Sequence, residues 1–414
     1  MPMLTSSPFG CLSRTGYGWR ALGRPADTLG YVTFPVVGMV GGGQLARMTH
    51  EAGIPLGIRF KLLSDTPQDS AAQVVSEVVV GDYRDLATLR AFARGCDVIT
   101  FDHEHVPTEH LRALEADGIP VRPGPEALVH AQDKGVMREK LTEIGAPCPR
   151  HRIVSDPSDA MAFADEVGGL PVILKTVRGG YDGKGVWFVR SREDAEAPFK
   201  AGVPVLAEEK VDFVRELAAN VVRSPHGQAV AYPVVESQQV DGVCDTVIAP
   251  APGLDEDLAG EAQQLALRIA AELGVTGHLA VELFETRGPD GKPGILVNEL
   301  AMRPHNSGHW TQDGAITSQF ANHVRAVLDL PLGDPRPRAR WTVMGNVLGG
   351  DYPDMYQAYL HCMARDPQLK IHMYGKDVKP GRKVGHVNTY GDDLDEVLER
   401  ARHAAGYLRG TITE

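Results

Sequence analysis

From residue 36 onward, short apolar runs alternate with amphipathic stretches and glycine turns, the pattern of a chain that builds several α/β layers. Val36-Val-Gly-Met-Val40 reads as a strand, Gly41-Gly-Gly43 as a turn, and Gln44-Leu-Ala46-Arg47-Met48 as the start of a helix. Further strands are predicted over 78–80, 97–101 and 119–121, with helices over 86–94 and 109–117. This alternation predicts a doubly wound, Rossmann-like N-terminal domain over 35–132, closing near Arg122-Pro123-Gly124-Pro125. A helix over 133–144 stops at Gly145 and Pro147 and opens a small α/β lid over 133–207.

The remainder, 208–414, is predicted as one larger region with strands over 218–222 and 229–235. A helix after Asp255 places Leu258, Ala262, Leu265, Ile269 and Leu273 on one face and closes at Gly274. A second helix over 318–328 ends before Pro331, and a Pro- and Arg-rich link leads to a terminal β-rich piece over about 340–414 with a helix at 394–408.

At 414 residues the chain exceeds one ordinary core. Acids outnumber bases 54 to 42, a net charge of −12, which argues against nucleic acid and anionic membranes as partners. An anionic substrate must then be drawn by a local cluster of bases. The five cysteines are widely spaced and contain no CxxC, which fits a reducing, cytoplasmic location better than a disulfide framework or zinc site. No run approaches the roughly 18 apolar residues of a membrane span. Residues 1–34 lack an apolar signal-peptide core and are expected to be a disordered extension or an upstream start.

The most informative stretch is Pro171-Val-Ile-Leu-Lys175-Thr-Val-Arg-Gly179-Gly-Tyr-Asp182-Gly-Lys184-Gly185. An apolar strand carrying one lysine runs into a loop whose glycines let the backbone aim successive N–H groups at one anion. An unpaired ammonium on a buried strand costs on the order of several kcal/mol, so Lys175 needs an anionic partner, and a phosphate serves. The plainer alternative is a hairpin turning at Asp182-Gly183. The readings are compatible, because a hairpin can be the flap that covers the phosphates.

The runs His278-Leu-Ala-Val-Glu282-Leu-Phe and Gly294-Ile-Leu-Val-Asn298-Glu299-Leu flank Pro289-Asp290-Gly291-Lys292, a strong hairpin signal. With Asp290-Gly291 as apex, Glu282 and Glu299 each lie eight residues away and face each other with Cβ atoms ~5 Å apart. Like charges so placed repel unless a cation lies between them, and hard oxygen ligands favour Mg²⁺ carrying substrate phosphates. Two solvated carboxylates on an exposed strand are the alternative, set against apolar neighbours that imply burial. A one-residue slip of register would undo the pairing.

Ala301-Met-Arg303-Pro-His305-Asn306-Ser307-Gly308-His309-Trp310 follows directly, and Arg303, His305 and Asn306 together can orient a small planar anion. A structural hydrogen bond is the plainer role for a loop histidine. Tyr374-Gly-Lys376-Asp-Val-Lys379-Pro-Gly381-Arg382-Lys383 is the densest basic segment and reads as a phosphate clamp or a solvated turn. Gly41-x-Gly43-x-x-Ala46, with Asp65 about 20 residues on, matches the dinucleotide fingerprint, which makes a dehydrogenase a rival reading. Asp102-His103-Glu104-His105 has metal-ligating residue types, but consecutive strand positions face opposite ways, which argues against a metal there.

Taken together these segments resemble the ATP-grasp carboxylate–amine ligases, and within them the branch that carboxylates an aminoimidazole ribonucleotide in purine biosynthesis. The resemblance runs from about Val36 to the C-terminus, on GGGQLARM, GGYDGKG, VNELAMRPHNSGHWT and YGKDVKPGRKVGH in the family's order and spacing. It implies an α/β, three-part ATP-grasp fold with the Rossmann-like domain at its N-terminus, commonly a homodimer. ATP would lie between the lid and the C-terminal part, with Mg²⁺, or Mn²⁺ in its place, on the phosphates. By position, Lys134 and Lys175 would contact ATP, and the loop Gly180, Tyr181, Asp182, Gly183, Lys184, Gly185 and Val186 would close on it. Glu208, Glu209, Lys210 and Val211 would line the adenine pocket, Glu216 would meet the ribose beside Gln239, and Glu282 and Glu299 would hold Mg²⁺ next to Asn298.

The implied reaction joins bicarbonate to the amine of 5-aminoimidazole ribonucleotide through carboxyphosphate, with ATP converted to ADP and phosphate. Asp182, with Lys184 nearby, would help remove the amine proton. Arg303, His305 and Asn306 would hold bicarbonate, while Gln44, Glu104, Lys376, Arg382 and Lys383 would hold the ribonucleotide. Four positions depart from the family pattern: Ala46 for glycine, Asp102-His103 for Glu-Phe, Gln239 for a histidine near the nucleotide, and Met302 for proline. The N-terminal extension has no family counterpart. A formate-dependent transformylase or a biotin-type carboxylase would keep the ATP and metal residues, but the HNSGHW and PGRK stretches argue against both. A nucleotide-sensing module without catalysis would be expected to lack one of Lys175, Glu282 or Glu299, and all are present.

Overall fold

The computed structural model describes residues 34–180, 184–350 and 354–413, among which there are three sheets. The first contains β1 (Val36–Val40), β2 (Arg59–Ser64), β3 (Glu77–Val80) and β4 (Val98–Phe101), with helices α1 (Gln44–Gly53), α2 (Leu86–Ala93) and α3 (Thr108–Ala116) between and after them. Its order is β3-β2-β1-β4 and every pairing is parallel. The central strand β1 is buried along its whole length, as its unbroken apolar run requires in a sheet covered on both faces. The strand expected over 119–121 is a single bridge between Val121 and Ile99. Pro120 and Pro123 lack the N–H groups that a longer ladder needs.

Gly124-Pro125 opens a helix that the sequence reading passed over, α4 (Pro125–Gln132), and Asp133 then starts α5 (Lys134–Glu143). The Asp133 carboxylate accepts from the N–H groups of Gly135 and Val136 at 3.0 and 3.1 Å, an N-cap that separates the two helices. The next sheet holds β5 (His151–Val154), β6 (Val172–Thr176), β7 (Val186–Val189) and β8 (Val205–Glu209), with α6 (Pro157–Val167) after β5. Its order is β5-β8-β6-β7, all antiparallel. β6 and β7 pair as the predicted hairpin, while Tyr181, Asp182 and Gly183 at its turn lie outside the described residues. β8 continues through Glu209, so Glu208 and Glu209 belong to this small sheet rather than to the region that follows.

The largest sheet is built from β9 (Phe213–Arg223), β10 (Ala229–Ala231), β11 (Val235–Val240), β12 (Val243–Ala249), β13 (Gly277–Arg287), β14 (Pro293–Ala301), β15 (Trp341–Leu348), β16 (Lys370–Met373) and β17 (Lys383–Gly391). The order is β14-β13-β9-β11-β12-β15-β17-β16, with β10 on β9. The strand predicted over 229–235 breaks at Pro233 into β10 and β11. The terminal β-rich piece joins the same sheet through β12 and β15, where Ile248 pairs with Val343. Helix α7 (Glu256–Glu272) covers one face and buries the predicted stripe of Leu258, Ala262, Leu265 and Ile269. One continuous core runs from Val40, Leu63 and Phe101 of the first sheet to α7, β13 and β14, so the first and largest sheets pack as one body.

Several histidines are fully buried inside this body, among them His278, His323 and His386. His323 Nε2 meets Thr100 Oγ1 at 2.9 Å, and its Nδ1 accepts from the His278 N–H at 3.1 Å. Burial lowers the His323 pKa from 6.5 to about 4, because the charged ring cannot be solvated there. A pKa lower in the folded than in the unfolded chain gives stability that is present above pH 6.5 and lost as pH falls to about 4. Unfolding followed by circular dichroism should therefore show stability declining across that window, with a shallower decline in His323→Gln.

Candidate active site

A cavity of about 1160 Å³ lies between the small sheet and β9, β13 and β14, and reaches the loop that follows β4. Its acidic wall is the hairpin of β13 and β14, in which Glu282 and Glu299 are opposite each other as predicted. The route to that pairing differs from the predicted one. From Arg287↔Pro293 to Leu283↔Val297 the ladder is centred on Asp290, and this register would set Glu282 opposite Asn298. A bulge skips Asn298 and brings Glu299 into line. Two residues then oppose one, and both Asn298 and Glu299 line the cavity.

The cations around this wall are held by specific partners. Lys134 Nζ contacts Glu299 Oε1 at 2.6 Å, and Lys175 Nζ donates to Asn298 Oδ1 at 3.0 Å. Lys175 also pairs with Glu208 at 2.7 Å, and the other Glu208 oxygen takes Arg138 Nε at 2.6 Å. Arg138 continues to the carbonyls of Val297 and Asn298 on β14 at 2.8 and 2.7 Å. Glu208 lines the cavity with Glu209, Lys210 and Val211, and its carboxylate orients Lys175. Its burial pushes the carboxyl pKa up, but the Lys175 and Arg138 charges outweigh that and hold it below the usual range. Arg138 was not singled out from sequence. The available signal was a basic residue between Met137 and Leu141 on the buried side of α5, a position that requires an acidic partner.

Glu282 accepts from His305 Nε2 at 3.2 Å. Burial raises its pKa, while His305, Lys175 and Arg303 bring it below the usual carboxylate value. Glu216 lies two residues along β9 from Ala218, the partner of Glu282, which makes it a diagonal neighbour on the same face. Burial, followed by the Glu282 charge, raises Glu216 to about 7, and a hydrogen bond from Gln239 opposes the rise. Three carboxylates on one wall, one of them driven toward its neutral form, suit a hard divalent cation. Among the described residues no group of three or more His, Cys, Asp or Glu could hold a metal alone, so a cation here would complete its shell with water and ligand oxygens.

Of the glycine loop, Gly180 and Val186 line the cavity, whereas Lys184 and Gly185 are not among its lining residues. Gly185 is required for closeness, since at φ +75° an added Cβ would meet Thr176 Oγ1 at 2.7 Å. Glu209, Lys210 and Val211 follow along the rim. Glu209 is bound by Arg150 at 2.7 Å, and Lys210 lies 3.8 Å from Asp212. Phe213 and Phe284, also in the lining, stack with centroids 4.7 Å apart. Sequence reading missed this ledge, because two aromatic residues about 70 positions apart become neighbours only through the pairing of β9 with β13.

Also in the lining, Glu104 accepts from Arg303 Nε at 2.7 Å and from the Met302 N–H at 3.2 Å. It thus fixes the arginine, and the two expected substrate contacts are engaged with each other. Gln44 Oε1 accepts from Lys376 Nζ. Lys383 lines the cavity, but Lys376 and Arg382 are not among the lining residues, and Arg382 lies 3.9 Å from Asp377. The basic segment is therefore divided, with Lys383 in the wall and Lys376 reaching it through Gln44.

The dinucleotide reading is overturned. Both Asp102 carboxylate oxygens are used at the start of α1, accepting from the N–H groups of Gly43 and Ala46 at 2.8 Å each. The chain's own anion occupies the place a pyrophosphate would need. The glycines are there for this approach, since a Cβ at Gly43 would collide with Asp102.

A small antiparallel sheet facing a large one, with paired carboxylates and two lysines in the cleft, defines an ATP-grasp protein. The chain matches the ATP-grasp domain over residues 139–320. It also matches the ribonucleotide synthetase preATP-grasp domain over 34–132 and the phosphoribosylaminoimidazole carboxylase C-terminal domain over 342–400. It is 55% identical over 381 residues to the N5-carboxyaminoimidazole ribonucleotide synthase of Mycobacterium tuberculosis, covering 90% of this chain and 88% of that one. The Thermus thermophilus N5-carboxyaminoimidazole ribonucleotide synthetase structure is similar with a TM-score of 0.80 at 38% identity, over 91% of this chain and 99% of that chain. The Aspergillus clavatus N5-carboxyaminoimidazole synthase, in complex with ADP and 5-aminoimidazole ribonucleotide, gives 0.82 at 32% identity, over 92% and 99%. The chain belongs to the N5-carboxyaminoimidazole ribonucleotide synthase family.

Two outcomes follow from the wall's electrostatics. Glu282→Gln removes the like charge beside Glu216, so the Glu216 titration should move down from about 7, as read by carboxyl carbon NMR. Arg138→Met leaves Glu208 buried with one cation fewer, and urea unfolding should show a loss of about 3–5 kcal/mol.

Proposed function

We propose that the chain catalyses the ATP-dependent carboxylation of 5-aminoimidazole ribonucleotide by bicarbonate, giving the N5-carboxyamino product, ADP and phosphate, as a carbon–nitrogen ligase of purine biosynthesis. The observation that carries this reading is the set of groups gathered in one cavity. Glu282 and Glu299, Lys134 and Lys175, and Gln44, Glu104 and Lys383 line it together. Arg303 and His305 line it as well, His305 contacting Glu282 and Arg303 contacting Glu104.

Bicarbonate is a poor electrophile, so one of its oxygens first attacks the γ-phosphorus of ATP, ADP leaves, and carboxyphosphate forms. Lys134 and Lys175 meet the charge of that transfer from fixed positions, Lys175 being oriented by Glu208 and Asn298. Mg²⁺, held by Glu282 and Glu299 beside Asn298, would supply charge neutralisation on the phosphates, and Mn²⁺ suits the same oxygen ligands. Phe213, Phe284 and Val211 offer the apolar surface for the adenine, and Glu216 an acceptor for the ribose hydroxyls. Arg303, His305 and Asn306 orient the bicarbonate.

Carboxyphosphate is labile in water, which gives the small sheet its purpose as a lid. Its breakdown releases phosphate and leaves CO₂ beside the amine, the N–C bond forms, and the amine loses a proton. Asp182, outside the described residues, is proposed to take that proton, with Lys184 nearby. Gln44, Glu104 and Lys383, backed by Lys376 and Arg382, are assigned to the ribonucleotide. The family resemblance extends the proposal to a homodimer, and the widely spaced cysteines without CxxC extend it to a cytoplasmic location.

Phosphate release from ATP, Mg²⁺ and bicarbonate should rise strongly when 5-aminoimidazole ribonucleotide is added. An absence of stimulation in protein that binds ATP would keep the fold and favour another acceptor. Glu299→Gln should lower the stimulated rate by roughly 10²–10³ while leaving the unfolding midpoint near that of the parent chain.

A further inference from the structure

A chain of hydrogen bonds runs along the cavity wall from Gln239 on β11, across to β12, and on to Asn306. Gln239 Nε2 donates to Ser237 Oγ at 3.0 Å. Ser237 Oγ donates to Cys244 Sγ at 3.5 Å, and Asn306 Nδ2 donates to the same sulfur at 3.3 Å. The register makes this path continuous. Ser237 and Gln239 are two apart on β11 and share a face, while a bulge between Gln238 and Gln239 sets Gln239 opposite Cys244 on β12. Ser237, Gln239, Cys244 and Asn306 all line the cavity.

The bonds have a direction. An amide nitrogen only donates, so the Ser237 oxygen accepts from Gln239 and its single proton goes to Cys244. The thiol is buried and stays protonated, since burial pushes its pKa up. Its sulfur offers lone pairs to the Asn306 Nδ2, Asn306 lines the cavity, and among the described residues no hydrogen bond occupies its Oδ1. Bicarbonate carries one O–H besides its oxygen acceptors. Arg303 and His305 can donate to the oxygens, but the O–H needs an acceptor, and a donor turned toward it would be repelled.

We infer that Cys244, supported by Ser237 and Gln239, is a positioning residue that holds Asn306 with Oδ1 toward the substrate, where it accepts the bicarbonate O–H. This rests on the reading of Arg303, His305 and Asn306 as the bicarbonate site. It gives Gln239, which stands where many relatives have histidine, a structural task in place of a nucleotide contact.

Steady-state kinetics with bicarbonate varied, at saturating ATP and 5-aminoimidazole ribonucleotide, tests the inference on Cys244→Ala, Cys244→Ser, Ser237→Ala and Asn306→Ala. Cys244→Ala should raise the bicarbonate KM about tenfold with little change in the KM for ATP. Cys244→Ser keeps an acceptor and should recover most of that loss. Ser237→Ala should move the same KM in the same direction by less, which keeps a readout should the alanine at 244 not fold. An unchanged bicarbonate KM in Cys244→Ala, with Asn306→Ala impaired, overturns the inference and leaves the bicarbonate site standing. An unchanged bicarbonate KM in Asn306→Ala removes that site and the inference with it. A parallel rise of every KM in both Cys244 variants, with a lowered melting temperature, would reduce the sulfur to packing and overturn the inference as well.

Discussion

The buried contact of Glu208 with Arg138 and Lys175 ties the small sheet to the large one. Side chains of Arg138 and Glu208 are 1% and 3% exposed, and isolated charges so deep are excluded. Each oxygen of Glu208 has its own cation, and Arg138 gives two further donors to the β14 carbonyls. Ion pairs of this kind add little net stability over apolar packing, but removing one member strands a charge. Their effect here is geometric. α5, β6, β8 and β14 meet at one point, and Lys175 is aimed at Asn298.

The same economy of charge governs the hairpin wall. Opposed carboxylates destabilise a ladder, and the chain offsets this with Lys134 on Glu299 and His305 on Glu282. Glu216 has no such cation among the described residues, and burial first, then the Glu282 charge, raises its pKa. A site that balances only in part without a ligand is prepared for a cation and the phosphates it carries. The bulge at Asn298 adds a neutral amide beside the acids, which gives Lys175 a partner that is not itself negative.

The N-terminal sheet shows how a familiar turn can serve another end. A glycine-rich βα turn exposes N–H groups at a positive helix end. In this chain Asp102 satisfies two of them and the next acid, Glu104, reaches across to Arg303. The turn that looks made for a dinucleotide thus anchors the loop that positions Arg303, and the backbone must be glycine because that loop packs so closely against it.

What the sequence determined by itself was local and periodic. The apolar stripe of α7, the helix beginning near Asp133 and the β6–β7 hairpin follow from spacing, because side-chain direction repeats every 2 or 3.6 residues, whereas the expected opposition of Glu282 to Glu299 is delivered by the bulge at Asn298. The motifs that carry the family resemblance are contiguous, so they were legible too. Tertiary structure alone decided which charges neutralise one another. Arg138 with Glu208, Asp102 with α1, Glu104 with Arg303, and Phe213 against Phe284 join residues 56 to 199 positions apart or strands of nonadjacent order. No local pattern encodes such pairs. They form because a buried charge or donor must find a partner, and only the packing of three sheets fixes which partner lies within reach.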